Sequence, residues 1–251
     1  MDLELTGKRA LVTGGSRGIG KAIARELARE GADVAIAARN QERIDATVAE
    51  LAGESGRRVV GRDVDTRDGE SVAAMVRACA DALGGIDILV NAAAQPGGQQ
   101  PAPRWDAVTE EALFEEIRVK VLGYLRVAQA AAPYMIASRW GRIINVSGLA
   151  ARQSGSVIGS VRNVAVAAMS KNLADELAPH GINVVTVHPG TTRTEATSEE
   201  AAQRPARNLA GRMIDAREVA YVVTFLASPK SIAIDGDTIA AGGGVPGAIY
   251  Y

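Results

Sequence analysis

Closely spaced glycines follow the first apolar stretch of the sequence, in the order Thr13-Gly14-Gly15-Ser16-Arg17-Gly18-Ile19-Gly20. The residues before them have the composition of a buried strand, and those after them have the periodicity of a helix. Glycines at such a turn let backbone N–H groups approach an anion, and the following helix directs its positive end toward it. The turn therefore predicts a binding site for the pyrophosphate of a dinucleotide, with a purely structural loop as the alternative.

The end of the second apolar stretch indicates which dinucleotide this is. Proteins that read NAD usually place an acid there for the ribose 2′-hydroxyl, but this sequence has Ala37-Ala38-Arg39-Asn40. Arg39 and Arg17 offer two guanidinium groups suited to a 2′-phosphate. We therefore expect NADP(H) in preference to NAD(H). The alternative is that both arginines are solvated surface charges.

The elements that must position these residues follow an alternating pattern. Short apolar runs alternate with longer helical patterns, and the runs are Arg9 to Val12, Asp33 to Ala37, Arg58 to Gly61, Ile86 to Val90, Arg142 to Val146, Asn183 to Val187 and Thr238 to Ala241. Among the helices, Gly18 to Glu30 is expected to end at Gly31, and Ala216 to Ala227 is a second. Repeated βαβ units predict an α/β fold: a doubly wound parallel sheet of the Rossmann type. We expect one domain over residues 1–251.

Two polar stretches are predicted to be loops near the ligand. They are Gln95 to Arg104 and Thr191 to Gly211, and each follows a strand end. In open α/β sheets the ligand crevice lies beyond the carboxyl ends of the strands. The first stretch is therefore a candidate wall of the site, and residues 191–211 are a candidate substrate lid.

Composition excludes several classes of protein. A hydrophobic fraction of 47% with 23% charged residues suits a folded domain, and a net charge of -1 disfavours nucleic acid and anionic lipid as partners. No apolar run approaches the roughly twenty residues that span a bilayer, and the first residues do not resemble a secretory signal. The single Cys79 cannot form an internal disulfide and is expected to be buried. We expect a cytoplasmic protein without a membrane segment.

The spacing of the glycine turn, Thr-Gly-x-x-x-Gly-x-Gly, resembles the short-chain dehydrogenase/reductase family, and the resemblance covers nearly the whole chain. Further matches follow in order: Asp63-Val64, Asn91-Ala92-Ala93-Ala94, Pro189 to Thr194, Asp235-Gly236 and Gly242-Gly243. In this family the first pair cradles adenine, and the Pro-Gly segment meets the nicotinamide and pyrophosphate. The resemblance and the glycine turn together give the expected cofactor contacts: Gly14, Ser16, Arg17, Gly18, Ile19, Gly20, Arg39, Asp63, Val64, Asn91, Ala92, Ala93, Pro189, Gly190, Thr191, Thr192 and Thr194.

The catalytic positions depart from the family pattern of Asn, Ser, Tyr and Lys. Aligning the motifs puts Lys120 at the Asn position and Gly148 at the Ser position, directly after Ser147. Gly159 and Asn163 fall on the Tyr and Lys of the Tyr-x-x-x-Lys motif. Gly159 has nothing to protonate, and Asn163 carries no charge that would depress a neighbour's pKa. The family's usual proton route is therefore absent.

Four residues are candidates for the missing catalytic groups. Lys120 could protonate or stabilise an oxyanion, or else be a surface or interface lysine. Arg162 could anchor a carboxylate or phosphate, or bind the cofactor. Asn163 could hydrogen-bond a ribose hydroxyl, and Ser147 could still reach the substrate. For His188, Trp105 and Trp140 we expect structural roles.

Three functions remain open at this point. The first is an oxidoreductase that exchanges hydride between NADP(H) and a carbonyl or alcohol of a small-molecule substrate, with an atypical acid. The second is a catalytically silent protein that binds the dinucleotide in a regulatory role, and the third is a non-redox lyase or isomerase. The resemblance also implies a homo-oligomer, a dimer or tetramer, through helices equivalent to Glu110 to Ile136 and Val161 to Ala178.

Overall fold

The computed structural model describes residues 1–94, 102–203 and 207–247, and its centre is one parallel sheet. Its seven strands are β1 Arg9–Thr13, β2 Asp33–Ala38, β3 Val59–Asp63, β4 Ile88–Asn91, β5 Gly141–Val146, β6 Ile182–Pro189 and β9 Thr238–Ala241. They lie in the order β3-β2-β1-β4-β5-β6-β9. Every pair of neighbours in this sheet is parallel. The predicted doubly wound α/β fold is confirmed.

Helices cover both faces of the sheet. They are α1 Gly18–Arg29, α2 Gln41–Ser55, α3 Gly69–Leu83, α4 Glu110–Glu116, α5 Gly123–Ser138, α6 Val157–Leu177, α7 Glu199–Ala202 and α8 Ala216–Leu226. One apolar cluster joins the sheet to α1, α2 and α8, and a second joins it to α3, α5 and α6. Because both faces are covered, the central strands are almost continuously apolar, as parallel strands usually are.

The order of the strands places the ligand crevice. The chain runs outward from β1 to β3, then crosses to β4 on the other side of β1 and continues outward to β9. The carboxyl ends of β1 and β4 are therefore adjacent at the point where the strand order reverses, which is where open α/β sheets bind ligands. The register pairs Thr13 at the end of β1 with Asn91 at the end of β4.

Some local predictions need correction. The third and fourth strands are each displaced by one or two residues toward the carboxyl end from the predicted runs. Within the loop predicted from 191 to 211, Thr192–Arg193 (β7) pairs with Ile214–Asp215 (β8), and α7 is a single helical turn. Part of this loop, residues 204–206, and most of the predicted wall, residues 95–101, lie outside the described residues.

The predictions for isolated residues had mixed outcomes. Cys79 is buried, as expected, and Trp140 packs beneath the ammonium of Lys8, which lies 3.9 Å from its ring centre. Trp105 was predicted to pack but is 76% exposed, because it lies in a short 3₁₀ turn outside both apolar clusters. No helix among the described residues has the length and apolar character to cross a membrane.

Candidate functional site

A cleft of about 1890 Å³ lies across the carboxyl ends of the central strands. The glycine turn after β1 forms one end, and residues from β5, α6 and the segment before α5 form the other. Of the predicted cofactor positions, fifteen line this cleft: Gly14, Ser16, Arg17, Gly18, Ile19, Gly20, Arg39, Val64, Ala92, Ala93, Pro189, Gly190, Thr191, Thr192 and Thr194. Asp63 and Asn91 do not line it.

The glycine turn has the close backbone packing that a phosphate-binding turn requires. Gly14 has a φ of +69°, and a Cβ at this position would lie 2.6 Å from the carbonyl oxygen of Ala92. Any side chain at residue 14 would therefore force the ends of β1 and β4 apart. The hydroxyl of Thr13 holds the same junction by accepting hydrogen bonds from the amides of Ala92 and Ala93, at 3.2 and 3.3 Å.

A carboxylate already contacts the amino end of α1. Helix α1 has no acidic residue in its first turn, but the amide of Gly18 donates to Oε1 of Glu195 at 2.7 Å. Glu195 lies in the segment after β7, 177 residues away in the chain. A negatively charged oxygen on this amide is the interaction that a pyrophosphate would make. The turn is therefore able to hold an anion with its backbone.

Arginines line the end of the cleft beyond β2. Arg17, Arg39 and Arg43 all line the cleft, and the structure gives none of their guanidinium groups a hydrogen bond or ion pair within the described chain. The nearby Asp65 is occupied by Arg67, whose hydrogen bonds lower the pKa of Asp65 to about 2. Three cationic side chains are thus available at this end for a phosphate. Arg43 was not predicted from the sequence; it lies in the first turn of α2, four residues after Arg39.

Asn91 lies behind the cleft and supports its floor. Its Nδ2 donates to Oδ1 of Asn145 at 2.9 Å, and Nδ2 of Asn145 donates in turn to Oγ of Ser170. These side chains are fully buried, so the bonds link β4, β5 and α6 through the interior. Asp63 is exposed at the end of β3, next to the buried Val64.

Three of the candidate catalytic residues contact one another at the inner end of the cleft. Nζ of Lys120 donates to the backbone oxygen of Ser147 at 2.9 Å and to Oδ1 of Asn163 at 2.8 Å. Oγ of Ser147 is 3.1 Å from both Oδ1 and the backbone oxygen of Asn163. Lys120 is only 3% exposed, which excludes the surface lysine considered above. Burial, reinforced by the charge of Arg162, lowers the pKa of Lys120 to about 7.

A π-helical segment brings Lys120 into this position. Residues Ile117–Leu122 form it between α4 and α5, and Lys120 is buried while Arg118 is exposed. A π turn holds more residues than an α turn, so it changes which side chains face inward without ending the helix. Such segments are frequent at functional sites.

Arg162, the fourth candidate, forms a buried ion pair that sequence analysis did not predict. Its Nη1 contacts Oε2 of Glu116, and both side chains are 8% exposed. Nε of Arg162 is buried and has no hydrogen-bond partner among the described residues. Glu116 is four residues before Lys120 on the same helical run, a spacing that could have drawn attention to it.

The two glycines that we expect at the family's Ser and Tyr positions provide no replacement acid. Gly148 and Gly159 both line the cleft, and a Cβ on Gly148 would lie 3.1 Å from Nδ2 of Asn163. The amide of Gly148 donates to Nδ1 of His188, whose pKa is lowered to about 4 by burial and by the charges of Arg152 and Lys120. His188 is therefore neutral near pH 7. No tyrosine lines the cleft within the described ranges.

Comparison with known proteins gives concordant results. The sequence profile of the short chain dehydrogenase family matches residues 8–205. The 3-oxoacyl-[acyl-carrier-protein] reductase FabG of Vibrio cholerae is 35% identical, over 97% of this chain and 99% of that protein. The short-chain reductase NovJ of Streptomyces niveus is 33% identical, over 94% of this chain and 93% of its own length.

Solved structures extend the likeness to the whole fold. A short chain dehydrogenase from Burkholderia cenocepacia in complex with NADP superimposes with a TM-score of 0.85 at 36% identity, covering 96% of this chain and 98% of that one. The L-sorbose reductase of Gluconobacter frateurii, complexed with NADPH and L-sorbose, superimposes with a TM-score of 0.91 at 28% identity. That match covers 99% of this chain and all of the reductase.

Proposed function

The chain belongs to the short chain dehydrogenase family, and from this premise we propose that it is an NADP(H)-dependent oxidoreductase acting on a carbonyl or alcohol group of a small molecule. One observation carries the proposal. A single cleft joins an anion-holding glycine turn at one end to a buried amine, Lys120, at the other. The arrangement suits a dinucleotide whose reactive ring lies near that amine.

The cofactor form is proposed from the arginines beyond β2. Arg17, Arg39 and Arg43 line that end of the cleft, and β2 ends without a carboxylate for a ribose hydroxyl. The Burkholderia and Gluconobacter structures with NADP and NADPH support the same choice. We expect catalysis with NADPH to exceed that with NADH, and Arg39→Gln to reduce the preference about tenfold. Equal kcat/KM values for the two cofactors in the unmodified protein would contradict it.

The chain's own residues support the chemistry as follows. Bound NADPH would supply the hydride that adds to the carbonyl carbon. Two N–H groups of the Lys120 ammonium donate to the backbone oxygen of Ser147 and to Oδ1 of Asn163, which leaves the third N–H for the substrate oxygen. As negative charge develops on that oxygen, the ammonium stabilises it and then donates a proton. With a pKa of about 7, Lys120 gives up and regains this proton near neutral pH.

Substitution of Lys120 tests this assignment. NADPH oxidation is measured with ketones, aldehydes and imines for the unmodified protein, Lys120→Met and Lys120→Ala. We expect kcat to fall on the order of 100-fold or more, as when other oxyanion-stabilising donors are removed. Lys171→Met, which removes an exposed lysine of α6, is the matched control. Full turnover in Lys120→Met would remove Lys120 from the mechanism.

A catalytically silent dinucleotide-binding protein is the second candidate. The observation that favours it is the absence of any side chain at Gly148 and Gly159, both on the cleft wall. Calorimetric titration with NADPH and the same turnover screen separate the two candidates. Tight binding of NADPH with no hydride transfer to any compound would favour the silent protein. Failure to bind NADPH would contradict both.

A further inference from the structure

The inner end of the cleft carries an excess of buried positive charge. Lys120 and Arg162 are 3% and 6% exposed, and the carboxylate that faces them is Glu116. His188, the other titratable group near Lys120, is neutral at pH 7. Arg152 is a further cation on the cleft wall, where its charge acts on His188 and its Nη2 donates to the backbone oxygen of Thr238. With Lys120 protonated, the cluster of Lys120, Arg162 and Glu116 has a net charge of +1. Such a charge is costly to bury unless an anion compensates it.

The same cluster has more hydrogen-bond donors than acceptors. Arg162 uses Nη1 on Glu116, while its Nε has no acceptor among the described residues. Nδ2 of Asn163 likewise donates to no described residue, and Lys120 has a third N–H to give. Unused donors on three neighbouring buried side chains indicate a ligand that brings acceptor oxygens.

Gly159 leaves Arg162 open to the cleft. Arg162 lies three residues after Gly159, on nearly the same face of α6, and both residues line the cleft. A Cβ at residue 159 would approach Ser156 and Ala150. Because residue 159 is glycine, it places no side chain of its own between Arg162 and the cleft.

From this geometry we propose that the substrate carries a carboxylate, which Arg162 binds while the carbonyl to be reduced faces Lys120. A carboxylate matches the planar guanidinium, and its single charge balances the net charge of Lys120, Arg162 and Glu116. The inference rests on the proposed function for the carbonyl chemistry, and the carboxylate site is tested separately from it.

Binding of a carboxylate has a proton signature. Burial and Arg162 hold the pKa of Lys120 at about 7, so at pH 8 most molecules have the neutral amine. An anion beside Lys120 raises that pKa, so the complex takes up as much as one proton. A ligand without charge leaves the pKa of Lys120 where it is, so its binding takes up no proton.

The kinetic test compares oxo acids with their methyl esters, with the carbonyl at carbon 2, 3 or 4. We expect kcat/KM for the best acid to exceed that of its ester on the order of 100-fold, because the uncharged ester cannot form the buried ion pair with Arg162. In Arg162→Met this ratio should fall to near one. Arg118→Met, which removes an exposed arginine of the same π segment, should keep the ratio. Esters used as well as acids, or an unchanged ratio in Arg162→Met, would overturn the proposal.

The binding test does not depend on turnover. Calorimetry of the same acids is run at pH 8 in two buffers of different ionisation enthalpy, with the protein alone and with NADP⁺. We expect the acid to bind with uptake of a proton. Arg162→Met should abolish the binding, whereas Lys120→Met should keep the binding and abolish only the proton uptake. If the acids bind in this way but no compound is reduced, the proposed function fails and the carboxylate site stands. If no acid binds better than its ester, the carboxylate site fails whatever the turnover.

A second variant serves as the control for unfolding of Arg162→Met. Removing Arg162 alone leaves Glu116 buried without its partner, which is strongly destabilising. Glu116→Gln/Arg162→Met removes both charges of the pair. A thermal melt near that of the unmodified protein, with the same loss of acid preference, supports the binding role. A folded double variant that still prefers acids would contradict it.

Discussion

By the family resemblance, we expect Lys120 and Asn163 to occupy each other's place in the family pattern. Lys120 falls where the resemblance predicts Asn and Asn163 where it predicts Lys, and the structure joins the two side chains by a hydrogen bond of 2.8 Å. The amine thus enters the site from the segment before α5 rather than from α6. An amide and an ammonium still meet there, but the charge is carried by the segment before α5.

The exchange predicts that two substitutions compensate each other. Lys120→Asn alone leaves buried acceptors on Ser147 and Asn163 without their donor, and Asn163→Lys alone puts two amines together. We expect each to lower the free energy of unfolding by about 1–3 kcal/mol. The double variant, which restores one amine and one amide, should lose less than the sum. Urea unfolding of all four proteins measures the coupling, and strictly additive losses would contradict it.

The depressed pKa of Lys120 predicts a pH-dependent stability. Between pH 7 and its unfolded value of 10.5, Lys120 is protonated in the unfolded chain and mostly neutral in the folded one. The free energy of unfolding therefore rises with pH in that window by up to about 1.4 kcal/mol per unit. Relative to Lys120→Met, the unmodified protein should gain about 2 kcal/mol between pH 7 and 9. Urea unfolding at each pH tests this, and a constant difference would contradict it.

The sequence allowed some residues of the site to be predicted better than others. The glycine turn, Arg17 and Arg39 could be placed on the cleft from the sequence, because each belongs to a short local pattern at the end of β1 or β2. The pair of Glu116 and Arg162 could not, because 46 residues separate them and only the packing of α4 against α6 brings them together. The hydrogen bond from Gly18 to Glu195 was missed for the same reason.

At the scale of elements, the segment after β7 interacts with the first turn of α1. Glu195 accepts from Gly18, and Thr194 lies within 3.6 Å of the position that a Cβ on Gly18 would take. This segment belongs to the lid predicted over residues 191–211. Its carboxylate accepts from the amide of Gly18, which is a donor that we expect the pyrophosphate of the proposed cofactor to use. We therefore expect cofactor binding to displace this contact.

Removing the charge of Glu195 should therefore strengthen cofactor binding. Glu195→Gln keeps the side chain's shape but weakens its hold on the helix end, where a charge contributes about 0.3–1 kcal/mol. We expect the Kd of NADPH to fall about two- to fivefold in a fluorescence titration. Glu199→Gln, on the neighbouring α7, is the control. Weaker binding in Glu195→Gln would mean that Glu195 supports the bound state.

The elements themselves were predictable to differing extents. Long helices such as α1 and α8 were predicted within one residue, because apolar periodicity and a terminal glycine or acid define them. Strands β7 and β8 have two residues each and depend on pairing across the lid segment, so no local pattern predicts them. The π segment was missed because its sequence differs little from that of an α-helix.

On the surface of the molecule, five large apolar side chains are exposed on elements that contact one another. They lie on α4, the π segment and α6, and are Phe114, Leu122, Val157, Val161 and Val164. The resemblance to the family placed an interface between copies on these helices. A cluster of large exposed apolar residues is typical of such a surface.

We expect a dimer or tetramer in solution, held partly by these exposed residues. Val161 and Val164 are about one turn apart on α6, and a carboxylate at either would be buried without a partner in the interface. Val164→Glu should shift the assembly toward monomer in gel filtration with light scattering. Tyr221→Glu, at an exposed position of α8, is the control. A monomer at all concentrations of the unmodified protein would contradict the expectation.

The burial of Cys79 has a practical consequence. Its Sγ lies 3.8 Å from the sulfur of Met75 inside the apolar layer of α3, and burial raises the pKa of the thiol to about 12. The thiolate, which is the reactive form, is therefore scarce at neutral pH. Because the sequence has one cysteine, a single cysteine introduced at the surface would be the dominant target for a maleimide dye. Fluorophores could thus be attached at one chosen position without first removing the native thiol.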